Sequence, residues 1–150
     1  MITLDDSQWP LLRVTFSGTL SAPEFDSYMS KMAAYLGRGE KYLILLDTRG
    51  LSVAPTLEQR QRLVNWVRQS EPAMRQRLLG CAFVITSPFI RLAMNIMCQL
   101  KPLPCPYTIV GDLKVASAWS AERFRAAGLV PPASLLEPQE LASTGSWGRR

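Results

Sequence analysis

Three uninterrupted apolar runs alternate along the chain with segments of helical periodicity. Residues 42–46 form the clearest run, which stops abruptly at Asp47. A run of this length without polar alternation predicts a strand that is buried on both faces and covered by helices. Residues 79–85, LGCAFVI, predict a second buried strand next to it, and residues 107–110 predict a short last strand.

Two short apolar segments precede these runs, at residues 2–4 and 11–16. The residues between them, DDSQWP, are rich in turn formers, so the pair predicts an antiparallel hairpin. In the second segment Arg13 and Thr15 alternate with apolar residues, which is the pattern of a strand with one face in water. The hairpin is therefore expected at an edge of the sheet.

Four helices are predicted from their caps and from apolar positions spaced three and four residues apart. The predicted N-caps are Ser21, Thr56, Ser87 and Asp112. In the first two helices a Glu or Gln follows the cap by three residues, as in a capping box. The inner stripe of the second helix is predicted to contain Leu57, Leu63, Val64 and Val67. That of the third is predicted to contain Phe89, Ala93, Ile96, Met97 and Leu100.

The order of these elements is hairpin, helix, strand, helix, strand, helix, strand, helix. Strands that alternate with helices build a parallel sheet, to which the hairpin adds an antiparallel edge. The predicted fold class is α/β, with a mixed, mostly parallel sheet of about five strands and about four helices. Residues 1–128 are expected to form the domain and residues 129–150 a partly disordered C-terminal tail, in which Leu135 and Leu136 are candidates for docking.

Composition narrows the function classes further. With 47% hydrophobic and 19% charged residues among 150, the chain is expected to be an ordinary soluble domain, without a signal sequence or a membrane span, in the cytoplasm. Three widely spaced cysteines predict reduced thiols and no disulfide framework. The absence of histidine removes the Ser-His and Cys-His nucleophile pairs and the usual imidazole metal ligands. We therefore expect no catalysis, no cofactor and no metal.

The segment at residues 47–56 is predicted to be a loop at the carboxyl end of the central strand, where open α/β sheets place their sites. The helix after it is rich in arginine, and the chain carries a net charge of +5, which would suit a partner with an acidic surface. An ordinary solvated helix face is the alternative interpretation. The predicted contact residues are Asp47, Arg49, Ser52, Thr56, Arg60 and Arg62.

The order of elements, the acid that ends the central strand after Leu45 and Leu46, and the late Ala118–Trp119 pair resemble the STAS/SpoIIAA-like family over about residues 2–127. The resemblance implies a non-enzymatic bacterial regulatory module that docks on a kinase-like partner. Regulatory members are switched by phosphorylation of a serine in an Asp-Ser-Ser/Ala-Gly motif at a helix start. The corresponding region here, DTRGLSVAPT, lacks the motif and leaves Ser52 and Thr56 as candidate phosphorylation sites. Thr56 acting only as a helix cap is the alternative.

Two functions of different classes follow. The first is a regulatory or scaffolding module that binds a protein partner through residues 47–56 and the basic helix, with a homodimer left open. The second is a small-ligand or lipid-binding domain, since the SpoIIAA-like fold is similar to lipid carriers of the SEC14 kind. Its support is the set Tyr28, Met29, Met32, Met94 and Met97. Nucleic-acid binding ranks lower, because aromatic residues are not interleaved with the basic ones.

Overall fold

A computed structural model describes residues 1–136 of the chain. It contains one five-stranded sheet in the order β1-β2-β3-β4-β5. The strands are β1 (Ile2–Gln8), β2 (Leu11–Gly18), β3 (Tyr42–Leu51), β4 (Leu78–Val84) and β5 (Tyr107–Val110). β1 and β2 are antiparallel and all other neighbours are parallel, so the predicted mixed α/β sheet is confirmed. Of the hairpin strands only β1 lies at an edge of the sheet, because β2 pairs with β3 on its other side.

Helices cover both faces of the sheet. They are α1 (Ala22–Gly37), α2 (Leu57–Gln69), α3 (Glu71–Arg77), α4 (Pro88–Leu100) and α5 (Leu113–Ala126). A 3-10 helix follows at Ala133–Leu135. Five α-helices are present instead of about four because the chain breaks at Ser70, just before Pro72, and this separates α3 from α2. No helix in residues 1–136 is long and apolar enough to cross a membrane.

The apolar run of the central strand β3 contributes side chains to the hydrophobic cores on both faces of the sheet. Successive side chains of a strand point to opposite faces. Tyr42, Ile44 and Leu46 belong to the core under α1 to α4, and Leu43 and Leu45 belong to the core under α5. All five are buried, which confirms the strand that residues 42–46 predicted.

β3 is longer than its apolar run, and this corrects the predicted loop at residues 47–56. Pairing with β2 continues past Asp47 to Leu51, after a register shift that places one extra residue in β3 between Asp47 and Gly50. Gly50 permits this pairing, because a Cβ there would lie 2.7 Å from the carbonyl oxygen of Phe16. The partner strand satisfies the backbone of this polar segment, so only residues 52–56 remain as a loop.

The face under α5 is tightly packed. Phe124, Ala116 and Ala121 are almost fully buried against β3 and β4. Trp119 lies directly over β4, where a Cβ on Gly80 would come within 2.8 Å of the indole ring. The 3-10 helix extends this core, with Leu135 only 2% exposed. Residues 137–150, including the ten expected to be disordered, lie outside the described part of the chain.

The side of helix α4 that faces the sheet matches the predicted one only in part, at Ala93 and Met97. Phe89, Ile96 and Leu100, expected on its inner face, are 80%, 46% and 70% exposed. Ile90 and Ala93 are its buried residues. The helix is apolar on both sides, so spacing alone does not decide which side faces inward. Leu57 of α2 was likewise expected inside and is exposed.

Candidate functional site

An apolar cavity of about 150 Å³ lies between the sheet and helices α1, α2 and α4. The sheet contributes side chains from β2, β3 and β4, and the helices contribute the opposite wall. Representative lining residues are Phe16, Phe25, Tyr28, Leu46, Trp66, Phe83, Ile90 and Met94. A dry apolar cavity of this size is large enough to hold benzene.

The cavity exists because α2 stands away from the sheet. None of the residues of α2, all within the described part, is buried. Leu63, Trp66 and Val67 point to the same core as the other helices but remain half-buried. A second pocket, of about 180 Å³ and with a more polar wall, lies beside the layer under α5, where Leu11, Arg13 and Ser134 line it.

The few polar groups in the cavity wall are mostly occupied. The Thr48 hydroxyl donates to the carbonyl oxygen of Val84 at 2.8 Å, which leaves its methyl group to face apolar neighbours. Burial raises the pKa of Tyr28, so this phenol stays neutral. The wall therefore selects for apolar surface.

One wall residue, Lys101, carries a charge. It is 21% exposed in its side chain, and its ammonium group lies 3.2 Å from Glu71 Oε1. The hydrogen bond from Lys101 lowers the pKa of Glu71. Arg75 also contacts Glu71, at 2.9 Å, so the carboxylate keeps a cationic partner if Lys101 turns away. Lys101 is thus the cation placed to meet an anionic group of a ligand in the cavity.

Asp47 and Arg49, the first two predicted contact residues, bind each other. Arg49 donates from Nε and Nη2 to the two carboxylate oxygens of Asp47 at 2.9 and 2.8 Å. This contact lowers the pKa of Asp47 and raises that of Arg49. Both residues lie in β3, and the pair neutralises its own charge.

The two candidate phosphorylation sites have different environments. Thr56 completes a capping box with Gln59, whose backbone N–H donates to the threonine hydroxyl at 3.1 Å. Ser52 is exposed in the loop, and its backbone N–H donates to Gly18 at 2.9 Å. The structure thus accounts for Thr56 as a cap, and phosphorylation of either residue stays a prediction.

The predicted arginines of α2 are not equivalent. Arg62 binds Asp26 of α1 at 2.6 Å and lies 5.0 Å from the Phe25 ring centroid, so it ties the two helices together. Arg60 is half-buried in the first turn, close along the chain to the exposed Val53 and Leu57. Of the six predicted contact residues, Asp47 and Arg49 therefore form an ion pair with each other, Thr56 is a helix cap, and Arg62 forms a salt bridge between two helices.

The two acids at strand ends, Asp47 and Asp112, each contact another group of the described chain. Asp47 is occupied by Arg49, and Asp112 caps α5 by accepting from the Lys114 N–H at 2.6 Å. Within residues 1–136 no three side chains of His, Cys, Asp and Glu are grouped to hold a metal ion.

The residues predicted for a ligand site agree in part with the lining of the cavity. Four of the five residues named for a ligand site line it, namely Tyr28, Met32, Met94 and Met97. Met29 packs against the same core outside that wall. Trp66, Phe83 and Lys101 were missed. The signal that could have found them is the low apolar content of α2, which cannot fully cover the sheet.

No family model matches the chain, and no curated protein matches it significantly. A solved structure does. It is that of an uncharacterized protein from the DUF3478 family with a SpoIIAA-like fold, from Shewanella loihica PV-4. The two chains are 14% identical with a TM-score of 0.58, over 80% of this chain and 92% of that one. At this identity the likeness concerns the fold. The chain is therefore a divergent α/β domain with a SpoIIAA-like fold.

Proposed function

We propose that this protein is a non-enzymatic bacterial binding module that holds a small apolar or amphipathic ligand between its sheet and helices α1, α2 and α4. The observation that carries the proposal is the 150 Å³ cavity between the sheet and helices α1, α2 and α4, whose wall is almost entirely apolar. A ligand that fills the cavity recovers dispersion contacts and the stability that the void costs. Ligand binding was the alternative at the level of sequence, and the geometry now favours it over partner docking.

The wall also indicates the chemical class of the ligand. Its surface is almost entirely apolar, and Lys101 is a charged wall residue whose side chain is 21% exposed. An alkyl or aromatic body with one anionic group matches this arrangement, because the ammonium group can exchange Glu71 for the ligand while Arg75 remains on Glu71. A medium-chain fatty acid is a ligand of this kind.

Native mass spectrometry of gently purified protein, followed by titration with octanoate and with octanol, tests the proposal. We expect added mass from a co-purified ligand or saturable uptake of octanoate, with octanol binding more weakly. A charge-assisted hydrogen bond contributes about 1.5–3 kcal/mol, which is roughly tenfold or more in affinity. Lys101→Met keeps the apolar stem of the side chain and removes its charge, so it should bring the two affinities together.

Two results would contradict the proposal. One is that neither compound binds to correctly folded protein. The other is that both bind equally well to a variant whose cavity has been filled. Equal octanoate affinity in the wild type and in Lys101→Met would contradict the role of Lys101 in binding the anionic group. It would not contradict ligand binding in the apolar cavity.

A protein partner docked on residues 52–60 is the second candidate. Its support is a mixed surface in which Val53 and Leu57 are 56% and 63% exposed and Arg60 follows them in the first turn of α2. Apolar residues beside an arginine are typical of contact surfaces. A regulatory partner with an acidic surface would suit this arrangement and the overall charge of +5.

Arg60→Glu tests the partner-binding candidate in a pull-down from host lysate with mass-spectrometric identification. We expect loss of the captured partner with little change in melting temperature, because a single partly exposed surface charge contributes little to stability. Arg68→Glu, near the other end of α2, makes the same charge change and should leave capture intact. Equal capture by both variants would rule out docking through this surface.

A further inference from the structure

Two of the three cysteines lie side by side. Cys81 is in β4, and Cys105 is in the segment that joins α4 to β5. Their sulfur atoms are 3.9 Å apart and share a hydrogen bond. The backbones are joined at the same place, since the Cys81 N–H donates to the Pro106 carbonyl oxygen at 3.0 Å. Two segments distant in the chain therefore hold their thiols in contact.

This arrangement needs little movement to form a covalent bond. A disulfide has an S–S distance of about 2.05 Å, so the two sulfurs must approach by roughly 2 Å in total. Rotation of the Cys105 side chain and a small shift of its segment supply that approach. Pro104 and Pro106 flank Cys105 and restrict its backbone, which limits the conformational freedom that bond formation must remove.

We propose that Cys81 and Cys105 are a redox modification site that closes to an intramolecular disulfide when the protein meets hydrogen peroxide. In the first step the Cys105 thiolate attacks one peroxide oxygen, the O–O bond breaks, and the products are Cys105 sulfenic acid and hydroxide, which is protonated to water. In the second step the Cys81 sulfur, as it gives up its proton, attacks the sulfenic sulfur and releases a second water. Two thiols are oxidised by two electrons and one peroxide is reduced to two waters.

The roles of the two sulfurs follow from their surroundings. Cys105 is half-buried, so it is the sulfur of the pair that the oxidant can reach, and its hydrogen bond with Cys81 lowers its pKa. Cys81 is 4% exposed, and the same hydrogen bond and its burial raise its pKa. Cys81 is shielded from solvent and 3.9 Å from Cys105, so it is positioned to resolve the sulfenic acid as it loses its proton.

The third thiol provides an internal control. Cys98 lies on α4 and interacts with the Tyr107 hydroxyl, and its pKa is raised mainly by burial. The sulfur–sulfur hydrogen bond joins Cys105 to Cys81 and does not include Cys98.

The disulfide would also act on the cavity, a consequence that rests on the proposed function. Cys81, Lys101 and Leu103 all line the cavity. Drawing Cys105 toward β4 moves the segment that carries Lys101 and Leu103 toward the sheet and narrows the space. We therefore expect the oxidised protein to bind octanoate at least threefold more weakly than the reduced protein.

The experiment exposes the full chain to a small excess of hydrogen peroxide, blocks remaining thiols and maps peptides by mass spectrometry. The expected product is a Cys81–Cys105 disulfide that dithiothreitol reverses, in the wild type and equally in Cys98→Ser. Cys81→Ser should instead accumulate sulfenic and sulfinic acid at Cys105, which a dimedone probe detects. Cys105→Ser should leave Cys81 reduced.

Bonding of Cys98 to either other cysteine, or irreversible oxidation of Cys105 in the wild type without a disulfide, would overturn the proposal. The peptide mapping does not depend on a ligand. If the disulfide forms but the protein does not bind octanoate, the proposed function is rejected and the proposed redox site is still supported. A disulfide that leaves octanoate affinity unchanged would reject the link to the cavity.

Discussion

Ala93→Leu is expected to make the protein more stable and to abolish ligand binding. Ala93 is 6% exposed on α4 and lines the cavity, so the added isobutyl group enters empty apolar space. Filling a cavity typically adds about 0.5–2 kcal/mol to the free energy of unfolding. The same atoms occupy the place of the ligand, and octanoate affinity should fall by at least tenfold. Urea unfolding and calorimetric titration on the same preparation measure the two effects.

Ala116→Leu is the matched control. Ala116 is fully buried on the inner face of α5, over the opposite face of the sheet, where Ala121 and Phe124 already fill the layer. Alanine and leucine have similar helix propensities, so packing dominates the difference between the two variants. Overpacking should cost about 1–3 kcal/mol and leave octanoate affinity unchanged. Destabilisation of equal size by both substitutions would show that the α4 side holds no usable space.

Phe124→Ala is expected to cause the largest loss of stability of any substitution considered. Phe124 is fully buried against β3 and β4, and its neighbours are close-packed, so the structure has little room to collapse into the void. The free energy of unfolding should fall by about 3–5 kcal/mol. In urea unfolding, the midpoint should move down sharply with the slope unchanged.

Val115→Ala, on the outer side of the same helix, separates this packing effect from a general weakening of α5. Val115 is 52% exposed, and its replacement should change stability by about 0.5 kcal/mol or less. If Phe124→Ala cost no more than Val115→Ala, the account of two differently packed faces would be wrong.

The elements that could be predicted are those whose signals are local. The run at residues 42–46 is apolar at every position because β3 contributes to two cores, and this is visible without a structure. Caps are equally local: Ser21, Thr56, Ser87 and Asp112 each accept a backbone N–H of their own helix. Alternation of strands and helices then fixed the sheet as mixed and mostly parallel.

The candidate site depended on distances between segments, and those were not predictable. Arg49 and Asp47 look like two separate contact residues in the chain, yet they pair because β3 continues past its apolar run under the pairing with β2. Arg62 looks like part of a basic face but binds Asp26 on another helix. The positions of charged residues in the sequence do not show which of them form ion pairs with residues of another strand or helix.

The sequence by itself therefore determined the layers of this protein, since strand and helix periods, caps and breaks are properties of neighbouring residues. Tertiary structure alone decided which side of the apolar helix α4 turned inward and how far α2 stood from the sheet. It also decided that Cys81 and Cys105 would meet. These outcomes depend on how whole helices pack against one sheet. That packing is determined by the volumes of all the side chains in the layer together. The cavity is the space that remains unfilled when these helices pack on the sheet, and it cannot be predicted from any one segment of the sequence.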